Sequence, residues 1–272
     1  MKFSVLISVY HKESPLFLEE ALASMENQTL AANEIVLVKD GPLTAELDTV
    51  IDKYTKVSKT SYIIVVLEQN VGLGEALNEG MRHCNYEWIA RMDTDDIALP
   101  HRFEVQTSHL SKNPKIDILG SWICEFDTDA TECEKERKVP ASHEDIMNFS
   151  KYRNPLNHMT VFFRKDAVLE SGGYQPMNGF EDYYLWMRML MCGKQFANIP
   201  KVLLKARTGR EMIVRRQGWK YMKNEVALEK AAYKIGFWSK FDVFRNVFTR
   251  ILPRVLPVFI VEKLYTLLRK FE

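Results

Sequence analysis

The sequence has almost no net charge. Its 37 Lys and Arg face 36 Asp and Glu across 272 residues, so no global field draws the chain to nucleic acid. Cysteine is scarce: Cys84, Cys124, Cys133 and Cys192 form no C-x-x-C pair and no short secreted framework, which points to a reducing compartment. The apolar stretch 3–10 is too short for a secretory signal core with a cleavage site behind it. No uninterrupted apolar run reaches the roughly 18–20 residues a spanning helix needs. A cytoplasmic protein is therefore expected, unless its C-terminal tail ties it to a surface. There is no G-K-[ST] element, which removes a P-loop, and there are no internal repeats. What remains is 46% hydrophobic and 27% charged, the balance of a globular chain long enough for one large core and an appendage.

The first hundred residues alternate between two patterns. FSVLISVY (3–10), EIVLVKD (34–40), YIIVVLE (62–68) and EWIARMD (87–93) are short β-rich runs. The first three are nearly continuously apolar, as strands covered on both faces should be. Helical segments are expected between them. Ser14 and Pro15 read as a cap and first helical position ahead of Leu18, Ala21, Leu22 and Met25, and further helices are expected over 44–57 and 73–83. This alternation argues for right-handed crossovers and a parallel sheet, with ligands beyond the carboxyl ends of its strands. A helix over 101–110, a strand over 117–123 and a polar excursion over 124–141 follow. Then come a strand over 158–164, helices over 166–171 and 181–191, and one or two short strands within 196–207. Residues 211–235 carry a helical pattern. The stretch 237–272 mixes aromatic and aliphatic residues with seven Lys and Arg against three Asp and Glu. Such a basic amphipathic segment fits either an anionic leaflet or packing on the rest of the protein.

Four places could carry chemistry. In RMDTDD (91–96) three carboxylates crowd four positions at a strand end, an arrangement that repels itself unless a cation neutralises it. Asp93 and Asp95 can face one ion at a turn. A hard cation such as Mg²⁺ or Mn²⁺ would complete its shell with diphosphate oxygens. Otherwise the acids cap the helix that follows. Asp40 ends the second strand before Gly41 and either accepts hydrogen bonds from a base or ribose or caps the next helix. Ser8, Tyr10 and Glu13 end the first strand and would line the same crevice. Gly72 and Gly74 resemble a nucleotide-binding glycine turn, although Leu77 stands where G-x-G-x-x-G needs its third glycine. Glu181 and Asp182 open a helix, where acids are favourable for structural reasons alone or where one could serve as general base. His158 could point into the cleft or sit satisfied in the core. Arg207 and Arg210 could face a diphosphate or simply be surface cations.

Taken in order, SVLISVYHKE, LVKDG, QNVGLGEALNEG, ARMDTDD, NHMTVFFRK, GGYQPMNGFEDYYLWMRM and NIPKVLLKAR resemble family 2 glycosyltransferases of the GT-A fold over residues 1–210. Within that family the chain looks like the bacterial enzymes that build O-antigen or capsule repeat units on a lipid-diphosphate carrier. The resemblance implies an α/β GT-A fold with a mostly parallel central sheet. Residues 1–96 would be the nucleotide-sugar half, 97–210 the acceptor half, and 211–272 a helical extension. It implies that Ser8, Tyr10, Glu13 and Asp40 surround the nucleotide; Gly72 and His158, singled out above from the residues themselves, are expected near it. Arg91 and Asp93 would continue the donor site, Asp95 would hold Mn²⁺ or Mg²⁺ with Asp93, and Asp182, paired with Glu181, would be the base. The expected partners are a nucleotide-sugar donor, UDP-glucose or UDP-galactose ahead of other donors, and a lipid-diphosphate-linked saccharide at the inner face of the membrane. Two departures stand out. Lys39 replaces a common aspartate, and RRQGWKY (215–221) lacks the Q-x-x-R-W spacing of processive synthases, which implies a single addition. A nucleotidyltransferase would need a glycine-rich basic motif near the first strand, and SVYHKESP is neither. A module that only binds would need no base, and the paired acids at 181–182 argue against one.

Overall fold

Apolar runs flanked by polar turns become strands in the computed structural model, which describes residues 1–127, 133–208 and 218–251. Those over 3–9, 34–39 and 88–92 are buried on both faces. The run expected to be covered at 62–68 instead forms the edge strand, where only Val65 is buried, because no strand lies beyond it among the described residues. In chain order these are β1 (Phe3–Val9), α1 (Pro15–Glu26), β2 (Glu34–Lys39), α2 (Ala45–Val57), β3 (Ser61–Val66), α3 (Leu73–His83) and β4 (Trp88–Met92). Strands β3, β2, β1 and β4 lie side by side in that order, every pair parallel. The alternate residues Phe3, Val5, Ile7 and Val9 of β1 share a core with Leu18, Leu22 and Met25 of α1 and Leu47 and Ile51 of α2. The intervening Leu6 faces α3. A Cβ added at Gly80 would come within 2.4 Å of Leu6 and 2.6 Å of Val38, so α3 sits close because that residue is glycine. The chain reverses direction across the sheet between β1 and β4, and that reversal opens a crevice beyond their carboxyl ends.

The second half continues the same sheet with mixed directions. It comprises β5 (Ile97–Ala98), α4 (Arg102–Lys112), β6 (Ile118–Phe126), β7 (Lys135–Arg137), α5 (His143–Phe149), β8 (Phe162–Arg164), α6 (Lys165–Glu170), α7 (Glu181–Met191) and β9 (Phe196–Arg207). Strand β8 pairs antiparallel with β4 and β6, while β6 and β9 run parallel and β9 carries β5 antiparallel at its edge. The sheet is thus parallel through β4 and mixed beyond it. Phe3, Phe103 and Phe162 pack with ring centroids 5.1–5.9 Å apart and join the two halves in one core.

Three local expectations change. Ser14 holds the cap position of α1 without a side-chain bond, and the Glu13 carboxylate instead accepts its N–H at 2.8 Å. The strand expected over 158–164 opens as a 3₁₀ turn, His158–Thr160. There Asn157 and Thr160 divert the backbone: Thr160 Oγ1 donates to the Asn157 carbonyl and Asn157 Nδ2 to the Ser121 carbonyl, both at 2.8 Å. Residues 196–207 form one strand, whose register against β6 slips between Ser121 and Ile123, opposite Pro200, a residue with no N–H to give the ladder. The polar excursion is a hairpin of β6 with β7, and across it the sulfurs of Cys124 and Cys133 are bonded, with Cα atoms 5.5 Å apart. Spacing alone gave no sign of that pair, and its bond is at odds with the reducing compartment read from the cysteine pattern. Cys84 and Cys192 are free.

Contacts divide the chain into two compact units. One is Met1–Pro176 with Glu181–Gly209, which holds the sheet. The other is Met177–Phe180 with Arg210–Glu272. Within the second unit the described elements are α8 (Gly218–Lys234) and α9 (Lys240–Asn246), which begins at a Ser239–Asp242 capping box. Arg210, the start of the helix expected over 211–235 and the tail from residue 252 onward lie outside the described residues.

Candidate active site

The crevice is built where three strand ends meet. After β2 the chain turns at Asp40 and Gly41. Gly41 adopts φ +83°, and a Cβ there would stand 2.6 Å from Asn70 N and 2.9 Å from Gln69 C, both backbone atoms that cannot swing away. Asp40 is buried and holds the same turn. Its Oδ1 accepts the Val71 N–H at 2.7 Å, and its Oδ2 accepts Asn70 Nδ2 at 2.9 Å and the Gly72 N–H at 3.2 Å. In this arrangement Asp40 fastens the glycine turn ahead of α3 rather than capping α2, whose cap is Thr44. Lys39, the departure noted above, pairs with Asp48 at 2.7 Å. We expect Gly41→Ala to cost about 2–4 kcal/mol, because a left-handed φ and a backbone clash are imposed together. Calorimetry should show the lowered Tm, and a variant as stable as the parent would remove this account of the turn.

Gly72 is the cap of α3, with φ +89° and open space beside it. Gly74, two residues further, would place a Cβ 3.4 Å from both Glu181 and Tyr174. The glycine segment therefore meets the start of α7. Asn78 completes this contact by exchanging two hydrogen bonds with the Tyr174 backbone, each 2.8 Å.

After β1, Tyr10 is exposed, Ser8 is partly buried, and Glu13 turns back to accept a hydrogen bond from Thr94 Oγ1. That bond ties the end of β1 to the acidic turn after β4. Asp93, Asp95 and Asp96 each bring a carboxylate oxygen within 4.8 Å of the others. Burial, then the charges of Asp93 and Glu13, push the Asp95 carboxyl up to about 7. Asp96 is buried and raised for the same reason, by desolvation and by its two neighbours. One Asp96 oxygen accepts the Arg207 N–H at 3.0 Å, and the other has no partner among the described residues. Arg91, wholly buried, pairs with Asp93. Burial opposes its charge and the Asp93 carboxylate more than restores it. One arginine does not balance three acids, and all the crowded donors are hard oxygens. The set fits a divalent cation such as Mg²⁺ or Mn²⁺.

Arg207 lies between the Phe17 and Phe126 rings, 3.8 and 4.6 Å from their centroids, and pairs with Glu20 at 2.6 Å. Its Nε also donates to the Asp95 carbonyl at 3.3 Å. Arg207 thereby clamps the acidic turn to the end of β9. Arg102 braces the turn from below by donating to the Arg91 carbonyl at 2.6 Å. Burial and the nearby Arg91 draw its own pKa down to about 9. Its sequence neighbours carry no motif that would single it out.

Asp182 opens α7 beside this cluster. Burial raises its carboxyl above the ordinary range, and four groups work against that shift: the Tyr183 N–H, Asn154, Arg137 and Arg91. Tyr183 N donates to Oδ1 at 2.7 Å and Asn154 Nδ2 to Oδ2 at 2.6 Å. Asn154 Oδ1 accepts the Leu156 N–H at 3.2 Å, which fixes the way its amide faces. Asn154 was not legible in the sequence, where N-P-L-N-H drew notice only for His158. His158 itself bonds the Tyr174 hydroxyl through Nε2 at 2.8 Å and packs against Tyr174 and Trp186. Burial and Arg91 hold its pKa well below the usual value, so it is neutral at pH 7. The charges of Arg91, Asp182 and Asp93 all act on the Tyr174 hydroxyl. Donor-side acids and the α7 carboxylate therefore share one neighbourhood.

A doubly wound sheet half, an acidic turn fit for a divalent cation and a separate buried carboxylate fit a group-transfer enzyme. The profile described as Glycosyl transferase family 2 matches residues 4–171. The amylovoran biosynthesis glycosyltransferase AmsE of Erwinia amylovora is 43% identical over 98% of this chain and 99% of its own length. The UDP-Gal:alpha-D-GlcNAc-diphosphoundecaprenol beta-1,3-galactosyltransferase of Escherichia coli is 39% identical over 94% of this chain and 92% of its own. The chain belongs to glycosyl transferase family 2 and is a glycosyltransferase. Its GT-A fold agrees with solved structures. S. aureus TarS in complex with UDP-GlcNAc superposes with TM-score 0.67 at 18% identity, over 93% of this chain and 72% of that one. Of a longer TarS chain, solved separately, this protein spans 43% with TM-score 0.65. The mannosyltransferase PcManGT of Pyrobaculum calidifontis, solved with GDP-Man and Mn²⁺, has TM-score 0.60 at 14% identity over 98% of this chain and 80% of that one.

Proposed function

We propose that this enzyme moves a hexose, galactose or glucose, from a UDP-sugar to a saccharide carried on a lipid diphosphate, with inversion, in bacterial surface polysaccharide synthesis. The observation that carries the reading is Asp182. It is a carboxylate pinned by Asn154 and the Tyr183 N–H and set apart from the acidic turn, yet within reach of the Arg91 charge that pairs with Asp93. The two relatives named above support the substrate class. The galactosyltransferase is named for a UDP donor, a diphosphoundecaprenol acceptor and a β-linked product, which is the outcome of inverting an α-linked donor.

In the proposed reaction Asp182 takes the proton from the acceptor hydroxyl as its oxygen attacks the anomeric carbon. Its two hydrogen bonds work against the upward shift that burial imposes and leave its remaining lone pairs for the acceptor. Asp95 and Asp93 would hold Mn²⁺ or Mg²⁺, whose charge offsets that of the departing diphosphate. Arg91 pairs with Asp93 and adds positive charge on the donor side. Tyr10, Ser8 and Glu13 line the nucleotide end, with Asp40 and Gly72 shaping its wall, and neutral His158 supports Tyr174 between donor and base.

The test is acceptor-dependent release of nucleoside diphosphate. Purified full-length protein with Mn²⁺ is incubated with UDP-, GDP- and dTDP-sugars, with and without a GlcNAc-diphosphate-lipid. Release from one UDP-hexose, dependent on the acceptor and lost on chelation, is expected. Release only with a soluble sugar or a protein would favour the same chemistry on that acceptor instead.

Peripheral contact with the inner membrane face is part of the proposal. Among the described residues no helix is long and apolar enough to cross a membrane. In α9 and the turn after it, Phe241, Phe244 and Phe248 are exposed while Asp242 and Asn246 are buried, the reverse of a helix that only serves its own core. Flotation with anionic vesicles should carry the protein. Replacing the three phenylalanines by serine should reduce binding about tenfold or more, since each removes apolar area from the lipid boundary. Undiminished flotation would rule out this face.

A further inference from the structure

The loop after α5 is anchored at both ends by the base and its neighbour. Tyr183 Oη donates to the Ser150 carbonyl and Asn154 Nδ2 to Asp182, each at 2.6 Å. Between these anchors Lys151, Tyr152 and Arg153 are all exposed. The Arg153 guanidinium makes no ion pair with another described residue, while its backbone N–H is fixed on the Phe149 carbonyl at 3.0 Å. From a second direction Arg137, partly buried on β7, brings its charge to bear on Asp182. Arg137 thus acts on the base from one element, and Arg153 is carried on the loop that Ser150 and Asn154 pin to α7. Lys138 lies over the Trp122 ring in the same strand region.

The bonds that anchor this loop run to the base and to Tyr183, not to the acidic turn. In an in-line displacement the attacking oxygen and the departing diphosphate lie on opposite sides of the anomeric carbon. The group that touches Asp182 is the acceptor, and the donor diphosphate belongs with Asp93, Asp95 and Arg91. A lone exposed arginine spends its conformational freedom to little purpose in water. Held on a short loop pinned at both ends, it is preorganised for an anion. We propose that Arg153 binds the phosphates at the reducing end of the acceptor saccharide. The subsite rests on Asp182 being the base of the transfer proposed above. One sugar ring separates the attacked hydroxyl from an anomeric phosphate. Arg153 is one residue from Asn154, which touches the base, and its planar fork suits two phosphate oxygens.

The experiment compares two soluble acceptors with the same sugar and short alkyl chain, GlcNAc-diphosphate-alkyl and the neutral GlcNAc-alkyl glycoside, using the full chain without vesicles. The readout is the ratio of their kcat/KM values. The wild type should favour the diphosphate. Arg153→Ala should cut the ratio about tenfold or more, Arg153→Glu further, and Arg153→Lys should retain most of it. An unchanged ratio in Arg153→Ala would overturn the subsite, as would a wild type that uses both acceptors equally while still turning over. If Arg153→Ala lost only its binding to anionic vesicles, with the ratio intact, the arginine would be a headgroup contact and the proposal would fail. Transfer to neither acceptor by the wild type would overturn the acceptor class itself, and the subsite with it.

Discussion

Replacing Asp182 by asparagine should lower kcat about 10³-fold while nucleotide affinity changes by less than about twofold. The asparagine keeps the size of the side chain and, with its one oxygen turned to the Tyr183 N–H, gives up only the bond from Asn154, but it cannot take a proton. The fold should therefore survive and the chemistry should not. The pH dependence gives a second view of the same group. Burial raises the Asp182 carboxyl, and the base acts only when ionised. The rate should therefore fall as pH is lowered through a value above the ordinary carboxylate range, and this acid limb should vanish from the residual rate of the variant. Single-turnover rates against pH would measure it. A variant that retains a tenth of the parental rate would exclude Asp182 as base and bring Glu181 forward.

Removing Asp95 should separate stability from activity. In the metal-free protein Asp95 titrates near 7, against about 3.9 for an unfolded chain. A raised carboxyl favours the folded state while it is protonated there. That contribution is complete below about pH 4 and is lost as pH rises to about 7. The chelated protein should accordingly lose Tm between pH 5 and 8. Asp95→Ala should flatten that slope, with the residue of it left to Asp96, and should raise the Tm of the chelated protein at pH 8 by an amount worth about 1–2 kcal/mol. The same change should cost transfer about 10³-fold, the scale of losing stabilisation of leaving-group charge. Mn²⁺ should raise the Tm of the parent most at high pH and the variant little. An equal Mn²⁺ shift in both proteins would exclude Asp95 as a ligand.

The difference between what spacing reveals and what it hides is clear from particular residues. Asp93, Asp95 and Asp96 sit within four positions on one turn, so their mutual repulsion and its remedy by a cation follow from sequence distance alone. Strands β1 and β2 announce themselves because continuous apolar residues have no other stable place. Asn154 does not announce itself, since its partner is 28 residues away. Arg207 reads as a diphosphate partner or a surface cation until Phe17 and Phe126 close around it from two distant segments. His158 reads equally as a ligand or a core residue. Tyr174 and Trp186 around it, with the buried Arg91 charge, make it a neutral hydrogen-bonding partner.

By itself, the sequence determined the alternation of strands and helices over the first hundred residues, the acidic turn at the end of the fourth strand and the acids that open α7. Periodicity and local charge are short-range properties, and they read directly along the chain. Tertiary structure alone decided that Asp40 would fasten the glycine turn, that Gly74 would bring α3 against Glu181, and that β6 and β7 would join Cys124 to Cys133. It also decided that β8 and β5 would run antiparallel in a sheet that begins parallel. Each of these depends on contacts between segments tens of residues apart, where the free energy lies in which groups meet and not in the order in which they are written.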